Sequence, residues 1–303
     1  MIDTRATSPA RDALPDDLQR WLAGTGLPAV TGSTDTSWDR YNSKVWRLDT
    51  EGGPAFVKIS PTTQDHDREV YAYRHVAAAL DEHEAPRLIA ADPGLHAVLT
   101  TALPGSVVRD LPLERETEQR VHRLAGAVLG RWHAWPEPAG AQARERILQQ
   151  AADQADEAAR CLETAGEHLS QAQRELVRKV STDLPVLAAQ VPVVFLHGDF
   201  SPRNWLWDAE RESVGLIDFQ VASHGLAVAD LVWLFGAQWP TRPDLKDAFL
   251  AGYGRPLSEP ERQLLPLLTA RLAVSYLTTG VTEGNQMLVD RGRTALDHLA
   301  GGS

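Results

Sequence analysis

An acid and an amide lie five residues apart in one stretch of the chain, and a second acid follows them. Residues 197–204 read HGDFSPRN and come directly after the apolar run VVFL at 193–196. Asp218 lies fourteen residues beyond Asn204, inside the segment GLIDF. Phosphoryl transfer uses one carboxylate to orient a hydroxyl, and an Asn and another Asp to hold the metal ions that bridge the phosphates. The types and spacing of Asp199, Asn204 and Asp218 therefore favour that chemistry.

A lysine and a glutamate upstream could complete a phosphate site. Strand alternation puts Lys58 on the face opposite to Val57, and the next helical pattern puts Glu69 on a stripe of apolar residues. Because an inward carboxylate needs a counter-charge, we predict a Lys58–Glu69 ion pair that directs the ammonium towards the α and β phosphates of a nucleotide. The alternative is that both side chains lie in solvent.

Phe56 lies two residues before Lys58 and shares its face of the strand. An aromatic ring at this position could stack on adenine. An ordinary residue of the sheet core would produce the same pattern, and the sequence leaves both interpretations open.

The elements that must position these residues differ between the two halves of the chain. Strands are predicted over 30–33, 44–49, 55–60, 88–91 and 97–102, with one helix over 65–82 between them. Beyond Gly105 the patterns are mainly helical, over 117–135, 141–190, 259–278 and 286–299, with short strands at 193–196 and 214–217. The predicted class is α+β, with a nucleotide-binding lobe at 1–103 built on a small antiparallel sheet and a larger helical lobe at 104–303.

Composition limits the classes of protein that fit. The chain has 303 residues, 43% of them hydrophobic, which is enough for two folded lobes. Its single cysteine, Cys161, cannot form an internal disulfide, and no secretory signal or membrane-length apolar run is seen, so we expect a cytoplasmic protein. The net charge of −11 disfavours a nucleic-acid partner and suits a cationic substrate, although acidity for solubility alone has the same signature.

Taken in order, the motifs resemble those of the aminoglycoside phosphotransferase and choline kinase superfamily, which has the fold of eukaryotic protein kinases. The similar segments are the Val57-Lys58 strand, Glu69 on the next helix, the hinge-like LTTALPG at 99–105, LGRWH at 129–133, and the two acidic motifs. They occur in family order over about residues 28–240, and an ordered set is more specific than any single motif.

The resemblance implies a role for each motif residue. Asp199 would be the catalytic base, Asn204 and Asp218 would bind Mg²⁺, and Lys58 would contact the phosphates of ATP, with Glu69 behind it. The adenine edge would pair with backbone atoms of the hinge. The carbonyl of Thr101 and the amide of Leu103 are the expected groups. His197 and Asp230 are expected to brace the catalytic loop.

Two departures from the family pattern stand out. The segment expected to cover the phosphates, residues 33–43, contains no glycine, so phosphate contacts there would depend on backbone amides and on hydroxyls such as those of Ser37 and Ser43. Gln220 replaces the acid that many relatives carry two residues after the Asp218 position, which affects the expected surroundings of a second metal ion.

The function that these residues predict is ATP- and Mg²⁺-dependent phosphorylation of a small-molecule hydroxyl. GTP is an alternative donor, and the oligomeric state is left open. An aminoglycoside-like or other cationic antibiotic is the preferred acceptor. Choline, homoserine, methylthioribose, fructosamine and nucleoside antibiotics are the alternatives. A kinase-like binding module without turnover is disfavoured by the intact motif residues, and a protein kinase by the absence of an Ala-Pro-Glu segment after Asp218.

Overall fold

The computed structural model describes residues 13–37 and 43–301. Contacts divide the described residues into two compact units. The first combines the described residues up to Leu111 with Pro202–Ala222, and the second combines Pro112–Ser201 with the described residues from Ser223 onward. Residues 202–222 fall in the first unit because residues 206–207 pair with residues 106–107, and the division at 103/104 stays a prediction.

The first unit is built on a five-stranded antiparallel sheet preceded by a short helix, as its strand-rich pattern predicts. Its elements are α1 (Asp16–Ala23), β1 (Val30–Asp35), β2 (Lys44–Thr50), β3 (Gly53–Ile59), β4 (Leu88–Asp92) and β5 (Ala97–Thr101), in the sheet order β1-β2-β3-β5-β4. Leu48, Val57 and Leu99 are fully buried on one face, against Leu18 and Leu22 of α1. Because the Val57 face of β3 is buried against α1, Phe56 and Lys58 lie on the opposite face of this strand.

The helix after β3 is shorter than the sequence pattern predicts. α2 spans Thr63–Tyr71, and residues 72–76 form a π-helical turn before a final 3-10 turn at 77–79. The segment predicted as helical over 65–82 is therefore helical as far as residue 79, but its second half is not a regular α-helix. The Arg87 guanidinium donates hydrogen bonds of 2.6 Å to the carbonyls of Ala77 and Leu80, which satisfies the last acceptors where the helix ends.

A small three-stranded sheet completes the first unit. It consists of β6 (Ser106–Val107), β8 (Trp205–Asp208) and β9 (Ser213–Leu216), in the order β6-β8-β9. β8 and β9 form an antiparallel hairpin in which Trp205 pairs with Leu216. Only β9 is predicted from the sequence. Gly105 before β6 has a φ of 105°, and a side chain there would lie 2.5 Å from the Trp207 carbonyl oxygen, so glycine is required.

The second unit is mainly helical. Its elements are α3 (Arg115–His133), α4 (Ala141–Ala165), α5 (Gln171–Ala188), β7 (Val193–Leu196), β10 (Ser223–Leu226), α6 (Val232–Ala237), α7 (Pro243–Tyr253), α8 (Glu259–Glu283) and α9 (Gln286–Gly301). Ser170 and Ser258 begin α5 and α8 with capping boxes, which satisfy the free amides of the first turn. β7 pairs with β10 and ends at the residue before His197, so this ribbon delivers the chain into the loop of Asp199.

Helices α3 and α7 approach each other closely through glycines. A Cβ atom built on Gly252 would lie 1.8 Å from the Arg123 carbonyl oxygen, and one built on Gly126 would lie 2.2 Å from that of Phe249. Only residues without a side chain permit this backbone contact. The two helices therefore form a rigid pair whose carboxyl-terminal residues are His133 and Tyr253.

Among the described residues, one helix, α8, has the length and apolar composition of a membrane span. Of its most apolar 18-residue window, 56% is buried within the protein, as in the core helix of a folded domain. Its buried residues include Leu264, Ala270 and Leu277, which pack among the helices of the second unit.

Candidate active site

Lys58, Glu69 and Asp218 form one charged cluster in the first unit. The Lys58 Nζ atom lies 3.1 Å from Glu69 Oε2 and 2.7 Å from Asp218 Oδ1. The predicted Lys58–Glu69 ion pair is therefore present, and the residues of Glu69's predicted stripe are buried with it: Tyr73, Val76 and Leu80. The contact with Asp218 joins residues 160 positions apart in the chain.

Burial sets the electrostatics of this cluster. The Glu69 side chain is 2% exposed and that of Lys58 is 12% exposed, whereas that of Asp218 is 46% exposed. Burial raises the pKa of Glu69 above its ordinary value, although the ammonium opposes this shift. Burial would lower the pKa of Lys58, but the two carboxylates reverse that effect and hold it above its ordinary value. The lysine is thus a fixed cation with one buried and one accessible partner.

The β8–β9 hairpin explains how two distant metal-ligand candidates come to the same place. Beyond the Trp205–Leu216 pair, the Ile217 amide donates a 3.0 Å hydrogen bond to the Asn204 carbonyl. Asn204 therefore lies at the end of the hairpin from which Asp218 follows. Asp218 has a φ of 68°, a left-handed conformation that is uncommon for a residue with a side chain and is enriched at functional sites.

Asp199 lies in the second unit, in the loop that follows β7. The Asp199 amide donates a 3.3 Å hydrogen bond to Nδ1 of the His197 ring. The carboxylate of Asp230 accepts the amides of His197 at 2.8 Å and Gly198 at 2.7 Å. The expected bracing of the loop by Asp230 is therefore present, while His197 packs between the rings of Trp132 and Phe200.

The other candidates for nucleotide contact lie on or beside the large sheet. Phe56 is half-buried on β3, opposite Thr100, on the face that it shares with Lys58. Thr101 ends β5, and its hydroxyl accepts the Arg87 amide at 2.8 Å. Leu103 follows, with its side chain against Gly215 of β9. Nucleotide contact at these positions stays a prediction.

Ser43 has a contact that the sequence does not indicate. Its hydroxyl lies 2.7 Å from the Gln220 side-chain oxygen and donates to it. Ser43 is 8% exposed, so its link to the segment after Asp218 is protected from solvent. Ser37 bonds through its hydroxyl with the amide of Val45, and residues 38–42 of the predicted phosphate-covering segment lie outside the described residues.

Oxygen atoms of Asn204 and Asp218 fit the preferences of Mg²⁺. Among the described residues, no group of three or more His, Cys, Asp or Glu side chains is placed to hold a metal ion. Mg²⁺ sites in phosphate enzymes commonly use only one or two carboxylates, with waters and substrate phosphates as the remaining ligands. The exposed carboxylate of Asp218 suits such a shared site.

Comparison with known proteins places this architecture in a family. Residues 35–265 match the sequence profile of the phosphotransferase enzyme family. A homoserine kinase of Afipia carboxidovorans is 35% identical over 115 residues, which are 34% of this chain and 35% of the relative. This chain thus spans about a third of the length of that curated relative.

Solved structures share the fold over nearly the whole chain. The streptomycin–ATP–APH(2")-IIa ternary complex is 13% identical, with a TM-score of 0.66 and coverage of 95% of this chain and 99% of that one. The macrolide 2'-phosphotransferase MphH of Brachybacterium faecium is 17% identical, with a TM-score of 0.59 and coverage of 94% and 97%. These TM-scores and coverages show a common kinase-like fold, although the sequence identities are low. The profile match across 35–265, which covers more than half of the chain, establishes that the chain belongs to the phosphotransferase enzyme family.

Proposed function

We propose that the protein transfers the γ-phosphoryl group of ATP, in the presence of Mg²⁺, to a hydroxyl of a small molecule that also carries an ammonium group. The observation that carries this proposal is the cluster in which Lys58 lies 3.1 Å from Glu69 and 2.7 Å from Asp218. A cation beside a carboxylate that can take a metal ion supports phosphoryl transfer.

Each residue has a defined part in this mechanism. Glu69 holds the Lys58 ammonium in position, and Lys58 binds the phosphates of the nucleotide. Asn204 and Asp218 provide oxygen ligands for Mg²⁺, which supplies positive charge that offsets the charge on the phosphates. Asp199 accepts a hydrogen bond from the acceptor hydroxyl and orients its oxygen for attack. Phe56 and the backbone at Thr101 and Leu103 hold the adenine ring of the nucleotide.

Two acceptor classes have separate support. The net charge of −11 and the fold shared with a streptomycin complex favour a cationic antibiotic. The 35% identity with a homoserine kinase over about a third of the chain favours homoserine. Both acceptors combine a free hydroxyl with an ammonium group, so a partly acidic acceptor site suits either. A cytoplasmic location fits both substrates and is part of the proposal.

A label-transfer assay tests the proposal. The protein is incubated with Mg²⁺ and γ-labelled ATP, in separate arms with homoserine, choline, streptomycin, gentamicin and a macrolide, and the arms are repeated with GTP. Transfer to homoserine or to an aminoglycoside is the expected result. Glycerol is added as an acceptor without an amine, and transfer to glycerol alone would contradict an ammonium-bearing acceptor. Lack of transfer in every arm would contradict the proposed reaction.

A further inference from the structure

His133 is a buried histidine that the proposed mechanism does not use. It is the last residue of α3 and is 8% exposed. Both of its ring nitrogens have partners: Nε2 lies 2.9 Å from Asp230 Oδ2, and Nδ1 lies 2.8 Å from the Tyr253 hydroxyl. A buried ring held at both nitrogens has one orientation, so His133 can transmit position to its partners.

Asp230 fixes the direction of one of these hydrogen bonds. Although burial opposes the charged form, hydrogen bonds from His133 and the loop amides lower the pKa of Asp230, so this carboxylate is ionised and only accepts. His133 therefore donates from Nε2. Burial raises the pKa of Tyr253 to about 12, so its hydroxyl keeps its proton where it meets Nδ1 of His133.

Asp230 connects this histidine with the loop of Asp199. Its Oδ2 atom accepts both the His133 ring and the His197 amide, and its Oδ1 atom accepts the Gly198 amide. The two amides belong to the residues immediately before Asp199. The rotation of one buried carboxylate therefore sets the backbone that presents Asp199, and the His133 side chain donates a hydrogen bond to that carboxylate.

A second anchor lies behind Tyr253. The Arg255 guanidinium lies 5.3 Å from the centre of the Tyr253 ring and forms two 2.7 Å hydrogen bonds with Glu261 in the first turn of α8. Glu261 is fully buried and also accepts the Ser258 amide. Arg255 thus links the ring of Tyr253, whose hydroxyl contacts His133, to the start of a core helix.

We infer that His133 is a positioning residue for phosphoryl transfer: by donating to Asp230, it fixes the amides of His197 and Gly198 and thereby the carboxylate of Asp199. The catalytic part of this inference rests on the proposed function, whereas the structural part does not. Loss of such an indirect contact typically lowers the rate by about 10- to 100-fold, because a reacting group moves by a fraction of an ångström.

Two substitutions of His133 distinguish the contribution of its Nε2 atom from that of its Nδ1 atom. Glutamine places its side-chain amide near the position of Nε2 and can still donate to Asp230, whereas asparagine is shorter and reproduces the Nδ1 position facing Tyr253. His122→Gln is the matched control. It changes a fully buried histidine on the same helix whose charged neighbours are Arg242 and Asp244.

The first measurement is hydrogen–deuterium exchange of the peptide that contains residues 197–199, which needs no substrate. We expect faster exchange in His133→Asn than in His133→Gln, and wild-type exchange in His122→Gln. Equal exchange in His133→Asn and wild type would overturn the inference, and so would equal acceleration in all three variants, which would indicate general destabilisation.

The second measurement is steady-state release of ADP from Mg²⁺-ATP, without acceptor and with homoserine and streptomycin. His133→Asn should lower kcat by about 10- to 100-fold and leave KM for ATP within about twofold, and His133→Gln should recover most of the loss. An unchanged kcat in His133→Asn would overturn the positioning role. If the wild type itself shows no turnover while the exchange result holds, the proposed function fails and the structural coupling stands.

Discussion

Removal of the Lys58 ammonium should destabilise the first unit chiefly through one of its two carboxylate partners. Lys58→Met leaves Glu69 as a buried carboxylate without a cation, with only a 3.4 Å contact from the Ser60 hydroxyl. Asp218, which is 46% exposed, can be solvated instead. The penalty should therefore come from Glu69.

The structure sets the size of the effect. At the 3.1 Å separation of Lys58 and Glu69, the attraction is about 5 kcal/mol for an effective dielectric constant of about 20. Breaking a buried pair by removing one partner typically costs about 3–5 kcal/mol, and we expect Lys58→Met to fall in that range at pH 8. Asp218→Asn removes the exposed partner of the same lysine and should cost less than about 1 kcal/mol. The double variant with Glu69→Gln should recover about 2 kcal/mol or more of the Lys58→Met loss.

The penalty should also depend on pH with a definite sign. The pKa of Glu69 is raised above its ordinary value of 4.5, and loss of the cation should raise it further. A raised carboxyl pKa gives the folded state an advantage that is complete below the unfolded pKa and is lost as pH rises through the folded pKa. The destabilisation of Lys58→Met should accordingly be smaller at pH 5 than at pH 8.

Amide hydrogen exchange of peptides from β2 and β3 measures the opening free energy of the first unit alone. Urea titration followed by circular dichroism supplies an independent value. A cost below about 1 kcal/mol for Lys58→Met at pH 8, or a double variant no more stable than Lys58→Met, would refute the assignment of Glu69 as a buried, cation-dependent carboxylate.

Three further outcomes are expected. Gly252→Ala would place its Cβ 1.8 Å from a backbone carbonyl oxygen of α3 and should cost about 3 kcal/mol in denaturant titrations, whereas Gly140→Ala, with nothing within 4 Å, should be neutral; equal stabilities would contradict the close helix contact. Asp218→Ala should abolish the Mg²⁺ dependence of ATP affinity in titration calorimetry, and an unchanged dependence would remove it as a metal ligand. Ser43→Ala and Gln220→Ala should raise KM for ATP equally and non-additively, because they share one 2.7 Å hydrogen bond; a larger effect of Ser43→Ala would instead indicate a direct phosphate contact.

Local periodicity was sufficient to predict the sheet and the inward faces of two elements. The alternation around Lys58 and the apolar stripe of Glu69 each lie within one strand or helix, and both determine which face is buried. The same reasoning missed the change from α-helical to π-helical geometry after Tyr71, because the residues of the π-helical turn have the apolar spacing of a continuing helix. A single extra residue in a turn leaves little trace in the sequence.

Contacts between distant segments could not be predicted in this way. The Lys58–Asp218 contact depends on the pairing of β8 with β9, and the His133–Tyr253 contact depends on the close glycine packing of α3 against α7. Ser43 was predicted as a nucleotide contact from its place in the chain, and its bond to Gln220 depends on tertiary structure. Sequence motifs identified the chemical groups, whereas the fold determined their partners.

Asp199→Asn tests the central claim most directly, because it removes the proposed base and preserves the size of the side chain. Wild-type and variant proteins are compared for Mg²⁺-ATP affinity by calorimetry and for label transfer to whichever acceptor the panel identifies. We predict ATP affinity within about twofold of wild type and a loss of turnover of about 100-fold or more. Turnover equal to that of the wild type would contradict Asp199 as the group that orients the attacking hydroxyl.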